Sequence, residues 1–325
     1  MFDFIFDKFS YREKVMLKRL GAAIAAPFAA GTGKFFLIRC VASVVVIAEL
    51  LGALMFELPQ TPRGQRIDLS EWNLVWSDEF DGTALDPAKW QNWYTNAPRR
   101  GGYWDKNQIL VEDGCLKIRT EYKNAGQPGE GWYSGEIESK GRFDKKYGYF
   151  ECRCVCPGGK GLWAAFWTLS EGMFATPDGS AADGCEIDMF ESGFYHADNE
   201  RKRNSVNQAA GYDGYGAGSN GVVVGHYTGN NIFEEFNTYG LEWNENEIIF
   251  YINGVETDRL TGVWVPQVEQ FLLLSVEVAG KVEIGVGGEP VPFVSESNNI
   301  NDNDMSIFPL DFIVDYVRVY DKKQS

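Results

Sequence analysis

The chain has 325 residues, with 46 Asp or Glu against 30 Lys or Arg and only two His. A hydrophobic fraction of 44% that includes 14% aromatic residues excludes a disordered chain. The net charge of -16 argues against nucleic acid as a partner, because phosphates bind to Lys and Arg. Two histidines argue against a His-based metal centre.

The first 69 residues differ from the rest in charge and in texture. They carry nine Lys or Arg and six Asp or Glu, so that the remaining chain carries a net charge of -19. Residues 35–56 form an apolar run that is long enough to cross a bilayer as a helix, which takes about 20 residues. The run contains Arg39 and Glu49, and a carboxylate in mid-membrane costs roughly 2.5–3.5 kcal/mol on insertion scales.

Basic residues from Arg12 to Lys34 precede this run, which by the positive-inside rule places the N-terminus in the cytosol. We therefore expect a helical anchor over residues 35–56 that associates with the membrane, and an extracytoplasmic, membrane-anchored or cell-surface protein. A cleaved signal peptide on a secreted protein and a soluble cytoplasmic extension are the alternatives. We assign residues 1–66 to the leader, with a linker at 59–66, and residues 67–325 to the main domain.

From Trp72 onward, short alternating runs recur every 8–15 residues between turn signals such as Asp113-Gly114 and Asn253-Gly254. Helical periodicity is nearly absent. The pattern predicts an all-β domain of the jelly-roll sandwich type. The clearest predicted strands are residues 115–122, 148–156, 161–169, 185–191, 238–243, 247–254, 271–276 and 312–320.

Three cysteines, Cys152, Cys154 and Cys156, alternate along one predicted strand and therefore face the same way. Residues i and i+2 of a strand lie about 6.6–6.8 Å apart, at the edge of the range for a disulfide. The spacing also fits no zinc pattern. We expect buried thiols that act as small apolar groups.

Three carboxylates lie on the predicted strand at residues 185–191. Glu186 and Asp188 share one face, whereas Glu191 is at odd spacing and would point to the core. One extra residue, a β-bulge at Met189-Phe190, would return Glu191 to the face of the other two. Two Glu carboxyls at about 5–5.5 Å have the spacing of a retaining glycosidase, and crowded charges raise the pKa of at least one. An ordinary half-buried strand is the alternative.

The strand before it places Trp163, Ala165 and Trp167 on one face. Flat indole rings stack on sugar rings, while core packing is the alternative explanation. Two Trp residues next to an acidic strand indicate an aromatic-lined cleft with acids in its floor.

These motifs resemble those of glycoside hydrolase family 16, in particular the laminarinase-like enzymes that cleave β-1,3-glucans. The resemblance covers residues 72–321 and implies a concanavalin A-like jelly roll. In this family's pattern, Glu186 would be the nucleophile, Glu191 the general acid/base, and Asp188 the residue that holds and tunes them. The matching stretches, in order, are WSDEF (76–80), SG (134–135), KYGYFE (146–151), GLWAAFW (161–167), EIDMFE (186–191), TYGLEW (238–243) and VDYVRVY (314–320).

The resemblance also implies ligands and partners. Trp163 and Trp167 would line sugar subsites, and Trp104 and Trp132 are further candidates. Catalysis would need no cofactor, but the family often binds a structural calcium, for which Glu79 and Asp315 occupy the matching positions. The implied partner is a polysaccharide, bound by a monomer.

The expected function is a retaining endo-hydrolase of β-glucan, with β-1,3-linked (laminarin-type) glucan as the leading substrate. Departures from the family pattern, such as Glu277 where Asn is frequent, leave the exact glycan open. One alternative is a transglycosylase, in which a sugar hydroxyl replaces water. Others are a hydrolase of mixed-linkage glucan or galactan, and a non-catalytic glycan-binding protein, which the retention of all three carboxylates disfavours.

Overall fold

The computed structural model describes residues 60–93, 95–192, 204–228, 230–295 and 298–324. The predicted anchor at residues 35–56 lies outside this part of the chain. Within the described ranges, no helix is both long enough and apolar enough to cross a membrane.

The described residues form twenty β-strands and several short 3-10 turns. The strands are β1 (Trp72–Asp78), β2 (Ala97–Arg99), β3 (Gly102–Trp104), β4 (Ile109–Glu112), β5 (Cys115–Lys123), β6 (Gly131–Ser134), β7 (Glu136–Glu138), β8 (Asp144–Lys145), β9 (Gly148–Val155), β10 (Leu162–Leu169), β11 (Cys185–Ser192), β12 (Val206–Tyr212), β13 (Asn220–Tyr227), β14 (Asn237–Trp243), β15 (Glu247–Ile252), β16 (Val255–Thr261), β17 (Gln270–Val278), β18 (Lys281–Ile284), β19 (Pro290–Phe293) and β20 (Leu310–Lys322). The turns are Leu69–Glu71, Lys106–Gln108, Glu171–Phe174, Gly262–Trp264, Ile300–Asp302 and Met305–Ile307.

Two large sheets face each other, and the predicted jelly-roll sandwich is confirmed. One sheet runs in the order β16-β15-β14-β9-β20-β5-β6-β3-β2, with β1 added on β20 and β4 on β5. The other runs in the order β13-β12-β11-β10-β17-β7, with β8 added on β17. Only the β3–β6 pair is parallel among the described strand pairs. We call the second sheet the cleft sheet, because β11, the strand with the three carboxylates, lies near its centre.

The core lies between the sheets and takes alternate residues of each strand, as a pleated strand requires. From the cleft sheet it receives Phe166 of β10, Ile187 of β11 and Leu274 of β17, all fully buried. Leu241 and Val317 enter it from the opposite sheet. The same alternation sends the remaining side chains of β10, β11 and β17 to the outer face of the cleft sheet.

Two of the three alternating cysteines lie on β9, an inner strand of the larger sheet, and Cys156 follows directly after it. Cys152, Cys154 and Cys156 are free thiols, at most 1% exposed, within the core. Burial raises the pKa values of Cys152 and Cys154, because a thiolate is poorly stabilised away from water. The prediction of buried thiols that pack as small apolar groups is confirmed.

The segment that the sequence indicated as a linker is instead bound to the domain where the structure describes it. Gly64 donates its backbone N–H to Glu256 at 2.9 Å, and Ile67 donates to Gly254 at 3.0 Å. Gln60 forms an isolated bridge to Tyr227. Backbone hydrogen bonds to the ends of β13 and β16 are open to an extended segment whatever its side chains, and the division of the chain at residues 66 and 67 stays a prediction.

Candidate active site

The predicted bulge in β11 is present and turns Glu191 toward the other two carboxylates. Against β12, Asp188 pairs with Ala209 and Glu191 pairs with Asn207, so that Met189 and Phe190 together oppose a single residue. The register against β10 shifts at the same place. Both bulge side chains are fully buried in the core, which fixes the direction of the bulge.

Gln208 lies opposite the bulge and holds the backbone of the bulge in place. Its Nε2 donates to the carbonyl oxygen of Met189 at 3.0 Å, and its Oε1 accepts from Thr257 Oγ1 at 2.5 Å. Gln208 is fully buried. A bulge removes one carbonyl from the ladder, and the Gln208 amide satisfies that carbonyl.

The outer faces of β10, β11 and β17 form a pocket of about 150 Å³. Trp163 lies opposite Glu277, and Ala165 lies opposite Ser275 on β17 and Glu191 on β11. Ala165 leaves space between the two Trp residues of its strand. The residues that line the pocket are Arg99, Arg100, Trp163, Ala165, Trp167, Glu186, Asp188, Glu191, Tyr215, Ser275 and Glu277. The structure thus brings the three predicted carboxylates and two of the four predicted Trp residues together.

Trp163 and Trp167 form the aromatic part of the pocket wall. The Trp167 Nε1 donates to Ser275 Oγ at 3.1 Å, which fixes the ring. The guanidinium of Arg100 lies 4.4 Å from the centre of the Trp163 ring, a cation–π arrangement. The pocket therefore presents edges and parts of the rings, since each Trp is less than 10% exposed.

The other two Trp candidates do not line the pocket. Trp104 is 1% exposed and donates its Nε1 to the Val276 carbonyl at 2.9 Å. Trp132 is 2% exposed, donates to Asn301 Oδ1 at 3.0 Å and packs on Phe308. Both predictions of substrate binding are corrected, because these indoles are buried with their N–H groups satisfied inside the protein.

The calcium prediction is not supported by its two carboxylates. Glu79 accepts two hydrogen bonds from Arg318, at 3.0 and 2.7 Å, and Asp315 pairs with Arg153. No group of three or more His, Cys, Asp or Glu residues in the described ranges is arranged to hold a metal. Oxygens that already bind guanidinium groups do not fit a Ca²⁺ site, which requires six to eight oxygen ligands.

Glu191 has the pKa of a group that is protonated at neutral pH. Burial raises its pKa to about 8, and the charge of Glu186 adds to the increase. The charge of Arg100 and a hydrogen bond from Trp163 oppose it. Glu191 is thus placed to carry a proton into the pocket.

Glu186 is also buried and its pKa is also raised, but more groups favour its charged form than at Glu191. Burial raises its pKa, while a hydrogen bond from Tyr215 and the charges of Arg99 and Arg100 lower it. Tyr215 Oη donates to Glu186 Oε2. Asp188, buried between the two, has a pKa raised well above its usual value by burial and by the charges of Glu191 and Glu186.

Two arginines in the pocket wall come from the end of β2 and from the turn that follows it, and no sequence motif marks either of them. Arg99 donates its Nε to Glu277 Oε1 at 2.6 Å, and Arg100 pairs with the other oxygen of Glu277. The next residue, Gly101, packs on β17, where an added Cβ would lie 2.1 Å from the Ala279 carbonyl oxygen. The one available signal was Glu277 itself, an acid on a cleft strand that calls for a cationic partner.

The chain matches a family model described as the glycoside hydrolase family 16 domain of β-porphyranases A–D over residues 72–322. Glucan endo-1,3-β-glucosidase A1 of Niallia circulans is 28% identical over 76% of this chain and 38% of its own length. Keratan-sulfate endo-1,4-β-galactosidase of Sphingobacterium multivorum is 28% identical over 77% of this chain and 56% of its own length. The chain therefore spans about two fifths of the length of the first protein and about half of the length of the second.

Among solved structures, the laminarinase catalytic domain of Thermotoga maritima is similar to this chain with a TM-score of 0.58 and 28% identity. The similarity covers 78% of this chain and the whole of that domain. The comparison supports the sandwich described above as a fold that this chain shares with that domain.

Proposed function

Since the chain belongs to glycoside hydrolase family 16, we propose that it is a retaining, endo-acting hydrolase of a β-glycan, with a β-1,3-linked glucan as its leading substrate. The observation that carries the proposal is that two neighbouring carboxyl groups lie in different electrostatic surroundings. Glu186 has a donor and two cations that favour its charged form, whereas Glu191 has a pKa raised to about 8. Burial raises the pKa of both groups, but at Glu186 a donor and two cations oppose that increase. Two neighbouring carboxyl groups in such different surroundings are suited to act as a nucleophile and a general acid.

In the first step, the ionised Glu186 attacks the anomeric carbon while Glu191 donates its proton to the leaving glycosidic oxygen. A glycosyl–Glu186 ester forms and the glycosidic bond breaks. In the second step, Glu191 takes a proton from water, which attacks the same carbon and releases Glu186. Double inversion at the anomeric carbon retains its configuration.

The change of role of Glu191 follows from the charges in the pocket. The negative charge of Glu186 is the second cause of the raised pKa of Glu191, after burial. That charge disappears when Glu186 forms the ester, so the pKa of Glu191 falls in the intermediate. An acid in the first step thereby becomes a base in the second. Asp188, buried between the two, positions both side chains.

The relative from Niallia circulans supports a β-1,3-glucan as substrate, since its name states that linkage. The Thermotoga maritima laminarinase domain supports the same class. The exposed edges of Trp163 and Trp167 add apolar surface to the pocket wall that a glucose ring would contact.

A second candidate substrate is a β-galactan that carries anionic groups. Arg99 and Arg100 line the pocket within reach of the carboxylates, although the main domain as a whole is strongly acidic. Guanidinium groups recognise sulfate and carboxylate groups by paired hydrogen bonds. The relative from Sphingobacterium multivorum is named for keratan sulfate, and the matching family model for β-porphyranases.

The test is the release of reducing sugar by the full-length protein from laminarin, mixed-linkage β-glucan, agarose, porphyran and keratan sulfate, with Glu186→Gln beside the wild type. Cleavage of laminarin that is lost in Glu186→Gln supports the leading proposal, and cleavage of keratan sulfate or porphyran alone supports the second. Proton NMR of the first product must show the retained anomer, and free reducing ends must outnumber transfer products. A folded wild type that cleaves none of the five contradicts both proposals.

We further propose that residues 35–56 anchor the enzyme in a membrane with its catalytic domain outside. The length of the apolar run and the basic residues before it support this. Fractionation with carbonate washing, followed by protease treatment of intact cells, tests it. A protein found wholly in the wash, or a protected catalytic domain, contradicts the proposal.

A further inference from the structure

We propose that Tyr215 is a positioning residue for Glu186, whose hydroxyl group orients the carboxylate and keeps it ionised for attack. This inference rests on the role of Glu186 as nucleophile in the proposed function. It adds a residue from outside the strands of the pocket, in a segment that no catalytic motif of the sequence includes.

The observation is the contact between the tip of Tyr215 and the floor of the pocket. Tyr215 Oη donates a hydrogen bond to Glu186 Oε2, and the side chain lines the pocket beside Asp188 and Glu191. The residue as a whole is 63% exposed. Its ring therefore extends from the solvent across the mouth of the pocket, with only the hydroxyl end inside.

The loop that carries Tyr215, residues 213–219 between β12 and β13, is built to place it there. Asp213 accepts the backbone N–H groups of Asp178 and Gly179 at 3.1 and 3.0 Å, which ties the base of the loop to the segment before β11. Gly216 and Gly218 have φ angles of +94° and +96°, which glycine adopts readily. An added Cβ at either would meet nothing within 4 Å, so the backbone conformation alone calls for glycine.

A second aromatic ring supports the position of Tyr215. Phe174, in the turn after β10, meets the Tyr215 ring edge-on with centroids 5.7 Å apart. Phe174 is itself 53% exposed. Two exposed rings from separate loops thus brace each other at the mouth of the pocket, which restricts the directions in which the Tyr215 hydroxyl can point.

The chemistry of the contact favours a donor that does not titrate. Burial and the charge of Glu186 raise the pKa of Tyr215, so the phenol keeps its proton throughout the working range. A hydrogen bond to a carboxylate stabilises the charged form of that carboxylate. The other charged groups near Glu186 are Arg99 at the end of β2, Arg100 in the turn after it, and Asp188 and Glu191 on its own strand, and Glu277 of β17 lines the same pocket. Its cross-strand partners, Gly211 and Leu169, do not titrate.

The test compares Tyr215→Phe, which removes only the hydroxyl group, with Tyr122→Phe as a matched control. Tyr122 Oη donates to Glu130 at 2.8 Å on the surface, away from the pocket. In Tyr215→Phe we expect the acid limb of the kcat/KM profile to move to higher pH, with kcat roughly tenfold lower on that limb and KM changed less than twofold. Tyr122→Phe is expected to keep the acid limb of the wild type.

A second measurement does not depend on activity. Carbon NMR titration of protein with labelled Glu carboxyls, assigned by Glu186→Gln, follows the ionisation of Glu186 directly. A higher pKa of Glu186 in Tyr215→Phe supports the inference, and coincident titration curves overturn it, whatever glycan is cleaved. If the titration shifts but the wild type cleaves no glycan, the proposed function fails and the contact stands.

Discussion

Gln208 donates its side-chain amide to the Met189 carbonyl oxygen at 3.0 Å, at the point where β11 gains its extra residue. The extra residue determines the face to which Glu191 points. A strand with one residue more than its neighbour turns every later side chain over. The bulge, and the amide that satisfies its free carbonyl, therefore connect the packing of the core to the geometry of the pocket.

The first prediction concerns this amide. Gln208→Met keeps the size of the side chain but removes the donor to the Met189 carbonyl, while the Thr257 hydroxyl keeps the Phe250 carbonyl as an acceptor. A buried polar group left unsatisfied costs about 1–3 kcal/mol, so we expect a clear fall in Tm. We also expect kcat to fall more than the loss of folded protein explains, because Glu191 is no longer held.

Thr257→Val separates the two effects of Gln208→Met. It removes the hydrogen bonds of the Thr257 hydroxyl to Gln208, at 2.5 Å, and to the Phe250 carbonyl, at 3.1 Å, and leaves the bond from Gln208 to Met189. Calorimetry and kcat measured on folded protein should show lost stability in both variants, but a large loss of kcat only in Gln208→Met. Equal losses of kcat in both variants would show that the amide does not control Glu191.

The second prediction separates the two glutamates of the pocket. Glu191→Gln cannot protonate the leaving oxygen, and we expect kcat/KM on the natural glycan to fall about 10²–10⁴-fold. A 2,4-dinitrophenyl glycoside of the same sugar needs no protonation, so its first step should stay fast in Glu191→Gln. Burst kinetics of dinitrophenol release measures that step.

Glu186→Gln is the companion variant, since it lacks the nucleophile that both substrates require. We expect Glu186→Gln to cleave the dinitrophenyl glycoside as slowly as it cleaves the natural glycan. A burst in Glu186→Gln that is absent in Glu191→Gln would exchange the two assigned roles.

The third prediction follows from the pKa of Glu191, raised to about 8 by burial. The folded protein holds this proton over a pH range in which the unfolded chain, with a Glu pKa near 4.3, has lost it. Stability from this group is therefore full at low pH and is lost as pH rises toward 8. Glu191→Gln has no carboxyl group and so does not lose this stability as pH rises. Its Tm relative to that of the wild type should therefore increase from pH 5 to pH 8.

The pH profile of wild-type activity should show the same pKa as an alkaline limb, because a general acid must be protonated to act. We expect kcat/KM to fall as pH rises through about 8. Thermal melts and initial rates over pH 5–9 measure both effects. A difference in Tm between Glu191→Gln and wild type that stays constant over this range would contradict the raised pKa.

Much of the fold and part of the site could be predicted from the sequence, and the reason differs from residue to residue. The period-2 pattern locates a strand such as β11, and the odd spacing of Glu191 indicates its bulge. Trp104 was misplaced because an indole on a strand suits a core as well as a cleft, and the pattern does not say which face is covered. Gln208 was not assigned a role because a buried amide opposite a bulge has no motif of its own.

Residues that reach the pocket from loops could not be predicted from the sequence, for a different reason. Arg99 and Arg100 precede Glu186 by more than 80 residues and meet it only because the β2–β3 turn packs on the end of β17. Tyr215 is placed by a glycine-rich loop whose direction depends on Asp213 and its partners. Such contacts depend on tertiary packing, which local periodicity does not report.

The last prediction concerns substrate charge and the arginines of the pocket. Arg100→Gln removes a guanidinium that lies over Trp163 and pairs with Glu277. If the glycan is anionic, kcat/KM on keratan sulfate or porphyran should fall at least tenfold while activity on laminarin changes little, since one charge-assisted contact contributes roughly 1.5–3 kcal/mol. Arg119→Gln is the control, because Arg119 forms a comparable pair with Asp311, at 2.9 Å, on the opposite sheet. Equal losses of kcat/KM on charged and neutral glycans in Arg100→Gln would instead show that this arginine acts on the carboxylates and not on the substrate. The alkaline limb of the kcat/KM profile should then move to higher pH, because Arg100 lowers the pKa of Glu191.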